Sequence, residues 1–170
     1  MSYTTVKALW PGEKIEDVEE LRNSHGSAPL VWNEIAKKYL GCRDFAYMHE
    51  GTTKRLWPLW KHLGIPKAHR AVLMMTYDHA YVKREDYQRA AEDIRTFLAD
   101  FPMPAERANH WPRIAEIFAG KPDVPAIGFN MTSVTCDLWV GEWDEGKEEY
   151  GPFDWAEAFD VYAEIDGLKG

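Results

Sequence analysis

The residues best suited to chemistry lie in the stretch AVLMMTYDHAYVKREDY, residues 71–87, where an apolar run meets an Asp-His pair. A carboxylate and an imidazole can work together in acid-base catalysis, and Arg70, just before the run, could hold an anion. In a strand Asp78 and His79 would point to opposite faces, and in a helix they would lie about 100° apart. The pair cannot easily form one acid-base couple, and a hydrogen-bonded core or rim histidine is the favoured interpretation.

His110 is the second candidate base. At the start of a helix over 110–119 it would lie near the positive end of the helix dipole, which favours a neutral imidazole. The alternative is a surface position. A hydrolase or transferase cleft built from Arg70, Asp78, His79 and His110 is therefore one possible function. No nucleophile, phosphate-binding or dinucleotide-binding motif accompanies these residues, so the sequence leans against an enzyme.

The sequence predicts no metal site and no cofactor. Its six histidines show no His-x-His or His-x-x-x-His spacing, and Cys42 and Cys136 match no zinc or redox motif. Two reduced cysteines fit a reducing compartment. The first residues lack a secretory signal pattern, and no run approaches the ~18 apolar residues of a membrane span. We therefore expect a cytoplasmic protein with no membrane association.

Charge is distributed unevenly along the chain. Residues 141–170 hold ten acidic and two basic residues, and so account for the whole formal net charge of −8. Residues 51–77 hold five basic residues, two histidines and no acidic residue. A basic segment and an acidic end must therefore coexist in one small protein.

The acidic end is also rich in aromatic residues, which distinguishes it from the acidic tails that stay disordered. We expect it to fold into an acidic, aromatic surface over about 141–166 that engages a basic protein partner, steered by charge and anchored by rings. The alternative is that its acids merely balance the bases of 51–70. The predicted binding residues are Trp143, Glu145, Glu148, Glu149, Trp155 and Arg70.

Single-stranded nucleic-acid binding is a second, less favoured alternative. The segment GTTKRLWPLWKHLGIPKAHR, residues 51–70, interleaves bases with Trp57 and Trp60, a mixture that can hold phosphates and stack bases. The same segment has leucines at helical spacing, which indicates a buried stripe instead. The overall negative charge also opposes general nucleic-acid affinity.

Hydrophobic periodicity predicts several helices. The clearest covers 84–101, and two more are expected over 27–40, with Ser27 as cap and Gly41 as stop, and over 110–119, with Asn109 as cap. Shorter helices are predicted over 15–22, 58–63 and 155–165, the last from the capping box Asp154-Trp155-Ala156-Glu157.

Strands are predicted over 4–10, 124–129 and 134–140, the last two as an antiparallel pair. Residues 71–82 are ambiguous: a strand is slightly favoured, and a buried helix beginning after Pro66 is the alternative. The sum is one α+β domain over 1–170, with five or six helices packed on a small, mostly antiparallel sheet. The oligomeric state is left open.

Overall fold

The computed structural model describes residues 3–22, 27–108, 110–131 and 137–169, and of Arg107 the backbone alone. The strands in these ranges are β1 (Tyr3–Trp10), β2 (Lys14–Arg22), β3 (Ala80–Lys83), β4 (Ala126–Asn130), β5 (Trp143–Asp144), β6 (Glu149–Tyr150) and β7 (Phe159–Asp160). The α-helices are α1 (Ala28–Leu40), α2 (Glu50–Leu56), α3 (Lys67–Met75), α4 (Tyr87–Asp100), α5 (Ala105–Ala108), α6 (His110–Ala119) and α7 (Val161–Gly167). The predicted α+β class is confirmed.

Five strands form the main sheet, in the order β2-β1-β4-β3-β7. Neighbouring strands are antiparallel except for β3 and β7, which run parallel. The mostly antiparallel sheet predicted from the sequence is therefore confirmed. β5 and β6 form a separate hairpin. Within the described ranges, no helix has the length and apolar character needed to cross a membrane.

Helices cover one face of the main sheet. Strand side chains alternate between the two faces, and Val6, Val82 and Ile127 point to the face where helices α1, α3, α4, α6 and α7 pack. Together they form the main hydrophobic core. We call this side of the molecule the helical layer.

Loops rich in aromatic residues cover the opposite face. Leu9 and Ala126 point to this side and form a smaller cluster with Trp139 and Phe153. Both rings come from residues 137–158, the segment that also contains the β5–β6 hairpin. We call this segment and its cluster the aromatic layer.

The helix predicted over 15–22 is wrong, because the segment forms strand β2. The N–H of Glu13 donates to the carbonyl of Trp10 over 2.8 Å, which closes a tight turn through Pro11 and Gly12. Gly12 has φ +81°, as the third position of a type II turn requires, and proline suits the second. The turn folds the segment back onto β1, and this pairing outweighs the helix propensity of its glutamates.

The slight preference for a strand over 71–82 is wrong for most of that range. Helix α3 begins directly after Pro66, and every side chain from Ala68 to Met75 is buried. A helix can be apolar almost all round when other elements surround it, and α3 packs against α1, α4, α7 and β3. The strand of this region, β3, begins only at Ala80.

The C-terminal helix predicted over 155–165 is wrong in its bounds. Residues Trp155–Glu157 form a single 3-10 turn capped by the side chain of Asp154. Strand β7 interrupts the segment, and α7 begins at Val161 with Asp160 as its N-cap. A capping box thus marks a helical turn here, but tertiary pairing with β3 limits its length.

The strand predicted over 124–129 is confirmed as β4, but its predicted hairpin partner is not. Residues 137–140 form no strand, and the rest of the predicted strand 134–140 lies outside the described residues. β4 pairs instead with β1 and β3, and this central position explains why all five of its residues are buried.

The three long helices are confirmed as α1, α4 and α6, and the strand over 4–10 is confirmed as β1. Gly41 ends α1 in the left-handed conformation with φ +64°, as predicted. Ser27 precedes α1, but its hydroxyl makes no capping hydrogen bond. The cap predicted at Asn109 lies outside the described residues. A 3-10 helix over Trp57–Lys61 takes the place of the helix predicted over 58–63.

Candidate functional site

Asp78 and His79 lie in the turn between α3 and β3. Asp78 is exposed, whereas the His79 ring is half-buried between Trp139 and Phe153, at ring distances of 5.6 and 5.0 Å. Nε2 of His79 lies 2.7 Å from the carbonyl oxygen of Leu138. No hydrogen bond or ion pair between Asp78 and His79 occurs in the described structure. His79 therefore ties the turn to the aromatic layer, as a rim histidine would.

Arg70 lies at the buried side of α3 and binds backbone rather than a carboxylate. Its Nε donates to the carbonyl of Ile65 over 3.0 Å, and its Nη1 donates to that of Trp60 over 3.3 Å. These bonds fix the loop that leads into α3. Arg70 shares no hydrogen bond or ion pair with Asp78, His79 or His110 in the described ranges.

His110 belongs to a buried polar cluster at one end of the main sheet. Its Nε2 lies 2.5 Å from the carbonyl oxygen of Arg22, and its Nδ1 lies 2.7 Å from Oγ of Ser27. The hydroxyls of Ser27 and Thr4 are 2.5 Å apart, and Oγ1 of Thr4 also lies 3.1 Å from the carbonyl oxygen of Met131. The cluster joins the ends of β1, β2 and β4 to the starts of α1 and α6.

Burial lowers the pKa of His110, although its hydrogen bond to the Arg22 carbonyl acts in the opposite direction. A carbonyl can only accept, so Nε2 carries the proton and Nδ1 accepts the proton of the Ser27 hydroxyl. A serine that donates to a neutral imidazole resembles an activated nucleophile. Here, however, Ser27 and Thr4 are fully buried and His110 is 3% exposed, so the geometry fits a lock between elements.

A second polar cluster lies inside the helical layer and has no local sequence signal. His69 is buried, with Nδ1 2.5 Å from the Tyr39 hydroxyl and Nε2 2.7 Å from Oδ2 of Asp100. Burial and the charge of Asp100 raise the pKa of Tyr39. His69 is 30 positions from Tyr39 and 31 from Asp100 in the chain, so only the packing of α1, α3 and α4 brings the three residues together. Within the described ranges, no group of three or more histidine, cysteine or acidic side chains could hold a metal ion.

The tryptophans of the basic segment 51–70 are partly buried. Trp57 packs edge-on against Trp32 and Tyr77, each with a ring distance of 5.2 Å. Trp60 is half-buried, with the Lys61 ammonium 5.4 Å from its ring. The leucine stripe predicted at helical spacing is buried at Leu56 and Leu59 but exposed at Leu63.

The aromatic layer holds the acidic C-terminal segment against the sheet. Trp139 lies over Gly128 of β4, where a Cβ atom would be 2.6 Å from its ring. Its Nε1 donates to the carbonyl of Phe129 over 2.9 Å. Phe153 packs on Trp139 at a ring distance of 5.0 Å, and Trp155 packs on Phe153 at 5.4 Å. Trp155, predicted as a binding residue, thus contributes to this anchored cluster.

A buried lysine that pairs with two partly exposed carboxylates adds to the anchoring of the aromatic layer. The Nζ of Lys7 in β1 lies 2.6 Å from Asp17 and 2.5 Å from Asp137. Burial alone would lower the pKa of Lys7, but hydrogen bonds and charge from the two carboxylates raise it. Asp137 is therefore bound to the sheet where the segment 137–158 begins.

The hairpin of β5 and β6 extends from this anchored base. Trp143 and Tyr150 are directly opposite each other, with ring centroids 5.0 Å apart, and are 51% and 52% exposed. Oδ1 of Asp144 accepts hydrogen bonds from the N–H groups of Gly146 and Lys147, at 2.9 and 3.2 Å. The tip is thereby held in a defined turn.

The carboxylates of the C-terminal segment differ in their partners. Outside the hairpin, Asp154, Glu157 and Glu164 are exposed, and Glu157 lies 3.5 Å from Nδ1 of His79. Asp160 lies 3.1 Å from Lys83, and Asp166 lies 2.5 Å from Lys67 and 2.6 Å from Arg89. The hydrogen bonds from Arg89 and Lys67 lower the pKa of Asp166. The hairpin acids, by contrast, are exposed and form no ion pair within the described structure, except Asp144, which lies 3.7 Å from Lys147. The other hairpin acids are Glu142, Glu145, Glu148 and Glu149.

Within the acidic surface predicted over 141–166, the densest group of exposed acids lies in residues 142–150. We call Glu142, Trp143, Glu145, Glu148, Glu149 and Tyr150 the acidic hairpin surface. No protein-family model, curated protein or solved structure matches this chain.

Proposed function

We propose that this chain is a small binding or regulatory protein that engages a basic protein partner through its acidic hairpin surface. The observation that carries the proposal is the pair of half-exposed rings, Trp143 and Tyr150, among carboxylates that lack ion-pair partners in the described structure. Aromatic side chains supply much of the energy of protein interfaces, and unpaired surface charge steers the partner and selects its sign. The cytoplasmic location predicted from the sequence belongs to the same proposal.

The anchoring of the hairpin supports this role. At its base the N–H of Gly141 donates to the Gly151 carbonyl, and the N–H of Gly151 donates to the Glu142 carbonyl, both over 2.8 Å. The cluster of Trp139 and Phe153 fixes the chain on either side. A surface that is ordered before binding loses less conformational entropy when a partner arrives.

The other two functions predicted from the sequence have less support. An enzyme built on Arg70, Asp78, His79 and His110 needs these side chains in one cleft, whereas each is bound to different neighbours or is exposed. Nucleic-acid binding by Trp57 needs a free ring face, and that ring packs between two other aromatic rings.

The test is a calorimetric titration of the intact chain with a synthetic arginine-rich peptide, carried out at two salt concentrations. Neutralising the hairpin with Glu142→Gln, Glu145→Gln, Glu148→Gln and Glu149→Gln should weaken binding by roughly tenfold or more and reduce its salt dependence. Trp143→Ala should weaken binding to a similar degree while leaving most of the salt dependence in place.

A matched control removes the same number of charges elsewhere. Glu13, Glu20, Glu85 and Glu106 are exposed and form no ion pair in the described structure, so their replacement by glutamine should change binding little. The proposal fails if this control loses as much affinity as the hairpin variant, because net charge alone would then explain binding. It also fails if the wild-type chain does not bind the peptide at low salt.

A further inference from the structure

A second exposed apolar surface lies in the loop that joins α1 to α2. Phe45 and Met48 are 61% and 73% exposed, more than any other large apolar side chain in the described ranges. Phe45 has φ +61°, a left-handed conformation that bulky residues rarely adopt. Its N–H donates to Oδ1 of Asn33 over 2.8 Å, and the Asn33 amide donates to Asp44 over 3.1 Å. Helix α1 thus holds the loop in the conformation that exposes the phenyl ring.

The same region carries unpaired positive charge. Arg43 in the loop and Arg55 in α2 are exposed and form no ion pair in the described part of the chain, whereas the neighbouring acids Asp44 and Glu50 pair with Lys37 and Lys54. The hydroxyl of Thr53 donates to the carbonyl of Tyr47 over 2.9 Å, so α2 lies directly against the loop. We call Arg43, Phe45, Met48 and Arg55 the basic surface.

The basic surface and the acidic hairpin surface are complementary. The hairpin offers two aromatic rings with carboxylates around them, and the basic surface offers two apolar side chains with guanidinium groups. Guanidinium groups bind carboxylates through paired hydrogen bonds and also stack on aromatic faces. Each surface therefore carries the groups that would pair with the other.

The two surfaces belong to opposite sides of the main sheet. The hairpin extends from the aromatic layer, whereas the loop before α2 belongs to the helical layer, where Tyr47 and Trp57 pack on the main core. Because the sheet lies between them, contact between these surfaces is expected between two molecules and not within one.

We propose that the partner of the acidic hairpin surface is the basic surface of a second copy of this chain. This inference rests on the proposed function and names the partner for it. The contact joins two different surfaces, so each bound molecule keeps one free hairpin and one free basic surface. Association of this kind continues into a closed ring or an open chain of copies.

The experiment measures the mass of the chain by sedimentation velocity over a wide range of protein concentration. Two variants are needed: a hairpin variant with Glu142→Lys, Glu145→Lys, Glu148→Lys and Glu149→Lys, and a loop variant with Arg43→Glu and Arg55→Glu. The wild type should grow beyond a dimer as concentration rises. Each variant alone should remain monomeric. Its reversed surface has the same sign of charge as its unchanged surface, so two copies of the variant repel each other at this contact.

The decisive experiment is an equimolar mixture of the loop variant and the hairpin variant. The loop variant keeps its hairpin and the hairpin variant keeps its basic surface, so the mixture should associate although neither variant does so alone. A mixture that stays monomeric overturns the inference, as does a loop variant that associates like the wild type.

Controls separate a specific contact from a general effect of charge or unfolding. Arg95→Glu with Lys121→Glu makes the same charge change at exposed residues elsewhere and should associate like the wild type. Circular dichroism confirms that each variant is folded, and Arg43→Gln with Arg55→Gln provides a milder variant that should associate more weakly than the wild type. An Arg95/Lys121 variant that becomes monomeric also overturns the inference.

Failure of this inference is distinguishable from failure of the proposed function. A wild-type chain that stays monomeric at all concentrations but still binds the arginine-rich peptide through its hairpin overturns self-association alone. A chain that neither associates nor binds the peptide overturns both.

Discussion

The helical layer and the aromatic layer cover the two faces of one sheet, but they are built in different ways. In the helical layer five helices bury large side chains completely, among them Trp111, Tyr87 and Phe118. In the aromatic layer the cover consists of loops, and two rings, Trp139 and Phe153, provide most of the buried contact with Leu9 and Ala126.

This difference indicates that the two layers contribute to different properties of the protein, namely its stability and the position of the hairpin. Burial of apolar area is the main source of folding stability, so the helical layer should supply most of it. The aromatic layer needs only enough contact to hold residues 137–158 on the sheet. Because this segment is a short loop anchored at its base, the hairpin of β5 and β6 can extend outward. A closely packed helix would not leave the hairpin free in this way.

Removing one ring from the helical layer should destabilise the whole chain. Phe118 is fully buried and packs against Tyr87 at 5.5 Å and Phe129 at 5.9 Å, so it joins α6 to α4 and to β4. Phe118→Ala should cost about 3–5 kcal/mol of unfolding free energy. Urea denaturation followed by far-ultraviolet circular dichroism measures this loss. Phe118→Leu, which leaves a smaller cavity, should cost less, and equal losses would contradict the packing argument.

Adding one methyl group under the aromatic layer should have a smaller and more local effect. A Cβ atom on Gly128 would be 2.6 Å from Cζ2 of Trp139 and 2.9 Å from Cδ1 of Leu9, so Gly128→Ala must displace the Trp139 ring. We expect the unfolding free energy to fall by about 1–3 kcal/mol. Near-ultraviolet circular dichroism should change, peptide binding by the hairpin should weaken, and the helical signal should persist.

Gly64 provides the control for that substitution. A Cβ atom there meets nothing within 4 Å, so Gly64→Ala should leave both the tryptophan signal and peptide binding unchanged. If Gly128→Ala also left them unchanged, the aromatic layer would not position the hairpin.

The smallest expected effect is a pH dependence that belongs to the helical layer alone. Because the folded pKa of His110 is lowered, the unfolded chain binds this proton at a higher pH than the folded chain does. Stability should therefore fall as pH decreases below about 6.5, with a slope from this group of at most about 1.4 kcal/mol per pH unit. The unfolding free energy of His110→Gln, measured by denaturant titration at several pH values from 5 to 6.5, should depend less steeply on pH. This is roughly the range where an unperturbed histidine titrates. An unchanged slope would show that His110 is not responsible.

The proposed binding of a basic peptide by the acidic hairpin surface should not share this pH dependence. The acidic hairpin surface contains no histidine, and carboxylates stay ionised well above their usual pKa of about 4. Binding of the arginine-rich peptide by folded protein should therefore be constant across the same pH range.

Local patterns predicted the elements whose stabilising contacts are near in sequence. Helices α1, α4 and α6 have apolar stripes at helical spacing, and the stop at Gly41 needs only a left-handed residue. Some errors occur where distant partners decide, as at α3, which is buried among α1, α4 and α7. The error over 15–22 is local instead, because the turn at Pro11 and Gly12, whose signal was present in the sequence, folds the segment onto β1.

The candidate site was predictable in composition but not in extent. Sequence alone predicted that the acidic end would carry exposed rings and charge, and Trp143 is 51% exposed there. It could not separate Trp143 from Trp155, because both are tryptophans among acids, and only packing on Phe153 distinguishes them. The contacts of Ser27 with His110 and of Tyr39 with His69 were also out of reach, since the paired residues are far apart in the chain.

The sequence by itself determined the α+β class, the long amphipathic helices and the concentration of negative charge near the C-terminal end, because each depends on residue type and short-range spacing. Only the tertiary structure decided which acids are neutralised, which rings are buried and which remain in solvent. The physical reason is that a side chain's exposure and charge partners depend on residues that are distant in sequence. Chain topology alone brings those residues into contact.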